Sequence, residues 1–154
     1  MTGNNPTRYA RAGARGKGAA MTVKEWLMRG WRLNEEIDSL EADKRAAYGR
    51  LVAATYWPDE TPVSRTREVH LTENLMQMAE LVNRRTDELI GIKNEIWVAI
   101  FEVRNPQYRE LLIKRYIEFK TNRVIAEEMH YCEKTIQRIH KKALEALSDA
   151  VNID

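Results

Sequence analysis

TNRVIAEEMHYCEKTIQRIHKKALEAL, residues 121–147, has the punctuation of two helices meeting at a tight turn. Thr121 is placed to be an N-cap, its hydroxyl accepting a backbone N–H of the first turn, and Val124, Ile125 and Met129 then fall on one face at helical spacing. His130-Tyr131-Cys132 is a three-residue break. His130 is expected there in the left-handed conformation that glycine usually supplies and that histidine adopts occasionally. The helix that follows, residues 133–147, places Ile136, Ile139, Ala143, Leu144 and Leu147 inward and leaves Glu133, Lys134, Gln137, Arg138 and Lys141 outward. A tight turn followed by a helix with long cationic and amide side chains on its wet face is how a major-groove DNA reader is built.

The chemistry of those outward residues sorts them. Lys134 and Arg138 can donate to guanine O6 and N7, Gln137 can bond an adenine edge twice, and Glu133 can accept from a cytosine amino group. These four are the expected base-contacting residues. Lys120, Arg123, Thr135, Lys141 and Lys142 are placed to touch phosphates, which fix register without reading sequence. For any one of them the competing reading is a solvated charge. Upstream, Asn105-Pro106 reads as an N-cap followed by proline at the first helical position. An approach helix follows, with Leu112, Tyr116 and Phe119 expected to pack against Ile125 and Ile139.

IAEEMHYCEKTIQRIHKKALEAL resembles the helix-turn-helix of the fourth region of bacterial sigma factors, where the pattern is roughly I-A-E-E-L-G-V-S, a basic recognition helix, then K-R-A-L. The matches are Ile125, Ala126, Glu127 and Glu128, then Ile136, Ile139, Lys141, Lys142, Ala143 and Leu144. His130 stands where that family prefers glycine and Cys132 where it has the serine that caps the recognition helix. The chain as a whole is similar to small phage and prophage regulators of the ArpU and RinA type. The resemblance implies a sequence-specific, double-stranded DNA-binding transcription regulator encoded by a phage or prophage. By the same resemblance, the four base-contacting candidates sit where the sigma-like family places its base-reading side chains.

The first two thirds of the chain read as a pair of long helices. Thr22-Val23-Lys24-Glu25 is a capping box. From there Val23, Trp26, Leu33, Ile37, Leu40, Ala47, Leu51 and Ala54 recur at alternating three- and four-residue spacing, with Gly30 and Lys44 at the weak seam positions. Trp57 precedes Pro58, and Pro58–Ser64 reads as the turn. A second helix is expected from near Arg67, its seam running from Leu75 to Val103 and interrupted only by Arg85. A pairing centred near residue 63 would bring Lys44 and Arg85 into one zone, answered by Glu41, Asp43, Asp87 or Glu88. It would also gather Trp26, Trp31, Trp97 and Phe101 at the open end, as packing for the C-terminal helices or as an interface. The expected architecture is therefore all-α: residues 21–104 as an antiparallel helical hairpin of coiled-coil type, then residues 105–150 as a three-helix DNA-binding domain.

Charge and composition narrow the partners. The chain has 25 Lys and Arg against 23 Asp and Glu, a net charge of +2. Residues 1–20 carry Arg8, Arg11, Arg15 and Lys17 with no acid, and the stretch from Arg104 to Leu147 is again basic. Residues 1–20 are expected to be disordered, either as a cationic arm or as an extension before Met21. One cysteine allows no internal disulfide, and neither a signal segment nor a membrane-spanning run is present, so a cytoplasmic protein is expected. His130, Cys132 and His140 do not have zinc-site spacing, and no phosphate-binding glycine loop, H-E-x-x-H or G-x-S-x-G occurs. The sequence calls for no enzyme activity, cofactor or metal. Its expected partners are double-stranded DNA, RNA polymerase and a second copy bound through the hairpin. The competing readings are a DNA-recognition subunit of a phage packaging machine, like a small terminase, and a helical adaptor.

Overall fold

The computed structural model describes residues 21–56 and 62–151, and the regular structure among them is helical throughout. Helix α1 spans Val23–Tyr56, α2 Pro62–Phe101, α3 Pro106–Tyr116, α4 Asn122–Met129 and α5 Glu133–Val151. This is the all-α plan the sequence called for, a long antiparallel helical pair followed by three shorter helices. The expectations for residues 1–20 and for Trp57-Pro58 lie outside the described residues. No helix among the described residues is long and apolar enough to cross a membrane.

Local chemistry sets most of the helix ends. The capping box forms: the Thr22 N–H donates to Glu25 Oε2 at 2.8 Å and the Glu25 N–H to Thr22 Oγ1 at 3.2 Å. Those bonds hold the Glu25 carboxyl below its ordinary pKa. Asn105 caps α3 by accepting the Gln107 N–H at 2.9 Å, with Pro106 as the first helical residue. Helix α2 starts at Pro62 rather than near Arg67, so the turn ends before Ser64. Proline is tolerated at a helix start because its missing N–H would have no partner there.

The residues group into two compact units, 33–89 and 21–32 with 90–151. The sequence placed the boundary at 104/105, but the bases of both long helices belong with α3 to α5. Trp26 and Leu27 of α1, and Ile96 and Ile100 of α2, are buried in one core with Leu112 and Tyr116 of α3 and Ala143 and Leu147 of α5. A second cluster joins the short helices to one another: Leu111, Ile125, Ala126, Ile136 and Ile139. The expected packing of Leu112, Tyr116 and Phe119 on Ile125 and Ile139 is thereby corrected. Helix α3 lies between two layers, and adjacent residues on a helix point about 100° apart, so Leu111 and Leu112 face different cores. For the same reason Ala126 is buried in α4 while Val124 stays exposed. Phe119 lies beyond the end of α3 with φ 56°, its ring edge-on to Trp31 at 5.4 Å. A Cβ on Gly30 would stand 3.4 Å from that ring, in van der Waals contact, so α1 packs closely against Phe119 at this seam position.

Among the described residues of the unit 33–89 the buried apolar side chains are Leu33, Ile37, Ala47, Val82 and Leu89. Arg85 pairs with Glu36 at 3.1 Å and with Glu88 at 3.0 Å. That pairing centres the hairpin a little earlier than residue 63. Lys44 consequently does not share a zone with Arg85; it lines a groove with Leu75 and Ala79. Eight residues of helix, about 12 Å, separate Glu36 from Lys44.

Candidate nucleic-acid interface

The turn between α4 and α5 is built as its residues dictate. Thr121 caps α4 by accepting the Val124 N–H at 3.4 Å. At the other end His130 adopts φ 59°, ψ 41°, and its N–H donates to the Ala126 carbonyl, as does that of Tyr131 at 2.9 Å. This is the left-handed helix stop, made by histidine at a cost of about 1 kcal/mol relative to glycine. The turn is tied back to α3, where Gln107 Nε2 donates to the Tyr131 hydroxyl at 2.7 Å.

Cys132 occupies the cap position of α5, its carbonyl accepting the Ile136 N–H at 3.1 Å. Its sulfur lies 3.1 Å from the Thr135 hydroxyl, and hydrogen bonds from the Thr135 side chain and backbone hold the thiol below its ordinary pKa. The thiol thus does the capping work of a serine. In return the Thr135 hydroxyl, expected at a phosphate, is engaged within the turn.

Along α5, Glu133, Lys134, Gln137, Arg138, Lys141 and Lys142 are all exposed, while Ile136, Ile139 and Ala143 are buried beneath them. Lys134, Arg138 and Lys141 follow one line at i, i+4, i+7, flanked by Gln137 and Lys142. None of these four cations has an ion-pair partner among the described residues.

Other cations of the same unit are engaged in holding it together. Lys120 Nζ meets Glu128 at 2.7 Å and Glu118 at 3.0 Å, and Lys114 Nζ meets Glu128 at 2.9 Å. Hydrogen bonds to Lys120 and Lys114 keep the Glu128 carboxyl below its ordinary pKa, and those to Glu128 and Glu118 raise that of Lys120. Lys120, expected at a phosphate, is half-buried in this network. Arg123 is exposed, with only a loose contact to Glu127 at 3.7 Å. In the sequence Glu128 figures only as a match to the sigma-type pattern, with no partner assigned. No periodicity links it to Lys114 and Lys120, and the pairing exists only because α4 folds back across the end of α3.

Beneath α5, Tyr116 Oη lies 2.7 Å from His140 Nε2. Burial pushes the tyrosine up to about 12, so the hydroxyl keeps its proton and donates. Burial, with the nearby Arg115 and Lys24 charges, pushes His140 down to about 4, so the ring is a neutral acceptor at pH 7.

The four aromatic interface candidates do not form one cluster. Trp26 is buried in the core, and Trp31 is half-buried, donating its indole N–H to the Arg115 carbonyl at 2.7 Å. Trp97 and Phe101 stack edge-on at 5.3 Å on the outside of α2, 39% and 56% exposed. Trp26 and Trp31 therefore fasten the C-terminal helices, which leaves Trp97 and Phe101 as the candidates open to a partner. The cause is angular: residues 97 and 101 each lie about 100° around α2 from the buried Ile96 and Ile100 that precede them.

The structure thus defines a class, an all-helical protein in which a hairpin of long helices joins a three-helix unit with a cationic last helix. Residues 64–148, from α2 to α5, match the model of a family described as a protein of unknown function, DUF1492. The match covers more than half of the chain, and the protein belongs to that family. Neither a curated protein nor a solved structure matches.

Proposed function

We propose that this protein is a non-enzymatic, sequence-specific, double-stranded DNA-binding transcription regulator that lays α5 in the major groove. The observation that carries the reading is the division of cations. Lys134, Arg138, Lys141 and Lys142 stand exposed on one helix with no ion-pair partner among the described residues, behind a tight left-handed turn, while Lys114 and Lys120 are consumed by internal ion pairs. Four exposed cations held without a partner are what an anionic ligand would neutralise. The likeness to the sigma-type helix-turn-helix supports the same reading.

In this reading Glu133, Lys134, Gln137 and Arg138 face base edges. Lys141, Lys142 and Arg123 face phosphates, and Lys120 and Thr135 contribute less than their sequence positions suggest. The hairpin serves for self-association or for contact with RNA polymerase.

Selection of bound fragments from a random duplex library at near-physiological salt tests this directly, with recovery of one motif as the expected result. Arg138→Ala and Gln137→Ala should each relax the motif at one position, costing about 1–3 kcal/mol of discrimination. Recovery of no motif, or a motif that survives both substitutions unchanged, refutes the proposal.

A further inference from the structure

The turn before α5 carries a side-chain pair to which neither base reading nor the cation network gives a task. Gln107, in the first turn of α3, donates an amide N–H to the Tyr131 hydroxyl at 2.7 Å. Both residues are held by their backbones. The Gln107 N–H is bound by the Asn105 side chain at 2.9 Å, and the Tyr131 N–H by the Ala126 carbonyl at 2.9 Å. The place of the pair is therefore set before anything binds, so a ligand meets donors that need no further ordering.

A primary amide and a phenol hold three polar protons between them, and their mutual bond uses one, whichever group donates it. Two remain. Neither has an acceptor among the described residues, and Tyr131 is 42% exposed. As a tie between α3 and the turn, a bond between two exposed side chains contributes little, because water serves either partner nearly as well.

Position in the chain selects the acceptor. Tyr131 immediately precedes Cys132, the cap of α5, after which Glu133 and Lys134 begin the helix. Where the first residues of a reading helix meet base edges, the residue leading into that helix lies at the wall of the groove, along the sugar-phosphate chain. Tyrosine and glutamine side chains are among the neutral donors that hold phosphate oxygens there.

We infer that Gln107 and Tyr131 together grip one DNA phosphate beside the N-terminal end of α5, two neutral donors on one anionic acceptor. This contact rests on the proposed laying of α5 in the major groove, and it adds a residue of α3 to the interface. Neither group is charged, so the grip releases no counterion and strengthens binding without steepening its salt dependence.

Titration of the full chain against a duplex carrying its selected motif, and against a scrambled duplex, tests it. Tyr131→Phe keeps the ring and removes the hydroxyl; Gln107→Leu removes the amide. Each should weaken binding to both duplexes by the same factor, about fivefold, with the preferred motif and the salt slope unchanged. A purely structural tie would instead loosen the turn and shrink the preference for the motif. The decisive duplexes carry an uncharged methylphosphonate in place of one phosphate at a time. At one position Tyr131→Phe should cost nothing beyond what the methylphosphonate costs, while at the others it keeps its fivefold cost. Variants that bind like the wild type overturn the inference, as does a shrunken preference for the motif or a Tyr131→Phe cost that is the same at every methylphosphonate position. A wild type that selects no motif overturns the proposed function and this contact with it, whereas a selected motif with Tyr131→Phe binding unimpaired overturns this contact alone.

Discussion

The unit of α3 to α5 with the bases of the long helices, and the distal hairpin, are made of the same material, amphipathic helices rich in charge, yet the first encloses its cores and the second does not. In the first, α3 lies between two layers and buries Leu111 in one core and Leu112 in the other. In the second, Leu75, Met78 and Leu51 occupy seam positions and remain only half-buried. The difference is geometric. Three helices crossing at angles enclose a volume, whereas two side by side share a single stripe whose flanks stay wet. A seam pattern therefore promises contact but not burial.

Substitutions in the two cores provide the largest contrast. Ile136→Ala in the fully buried cluster is expected to cost about 3–4 kcal/mol, and Leu75→Ala in the dilute chain about 1 kcal/mol, read from urea midpoints. Equal costs would break the comparison.

A smaller effect tests the polar link beneath α5. His140 is held near a pKa of 4 in the fold and would titrate near 6.5 unfolded. Its contribution is complete above pH 6.5 and is lost as pH falls towards 4, because acid protonates the unfolded ring first. Between pH 7 and 5 the loss is about 1–2 kcal/mol, discounted because the ring is only half-buried. His140→Gln, whose amide oxygen can still accept from Tyr116, should flatten that limb in denaturation measured at the two pH values. An acid limb of unchanged slope would show that His140 does not cause it.

The smallest expected effect sharpens the sorting of cations. Glu128→Gln frees Lys114 and loosens Lys120, which keeps Glu118, and should make duplex binding more salt-dependent, the slope of log K against log salt steepening by about one. Titrations at several salt concentrations would read it, and an unchanged slope would mean that the freed lysines do not reach phosphate.

Legibility followed the range of the interaction that fixed each feature. The caps at Thr22, Asn105 and Thr121, the left-handed His130 and the outward face of α5 were readable because each depends on neighbours within one helical turn. The half-buried state of Lys120, the separation of Trp26 from Trp97, and the exchange of Leu112 for Leu111 in the second cluster were not. Each depends on which other helix arrives.

The sequence by itself determined that the chain is helical, where most of its helices begin and end, and which side chains of α5 point to solvent. Periodicity and capping act within a few residues and leave their mark in the order of residue types. Only the tertiary structure decided which cations are spent on internal acids, which aromatics are buried, and that the bases of the long helices belong with α3 to α5. Those outcomes turn on the angle and register at which distant segments meet, and a difference of one residue, about 100° around a helix, carries a side chain from one core to another.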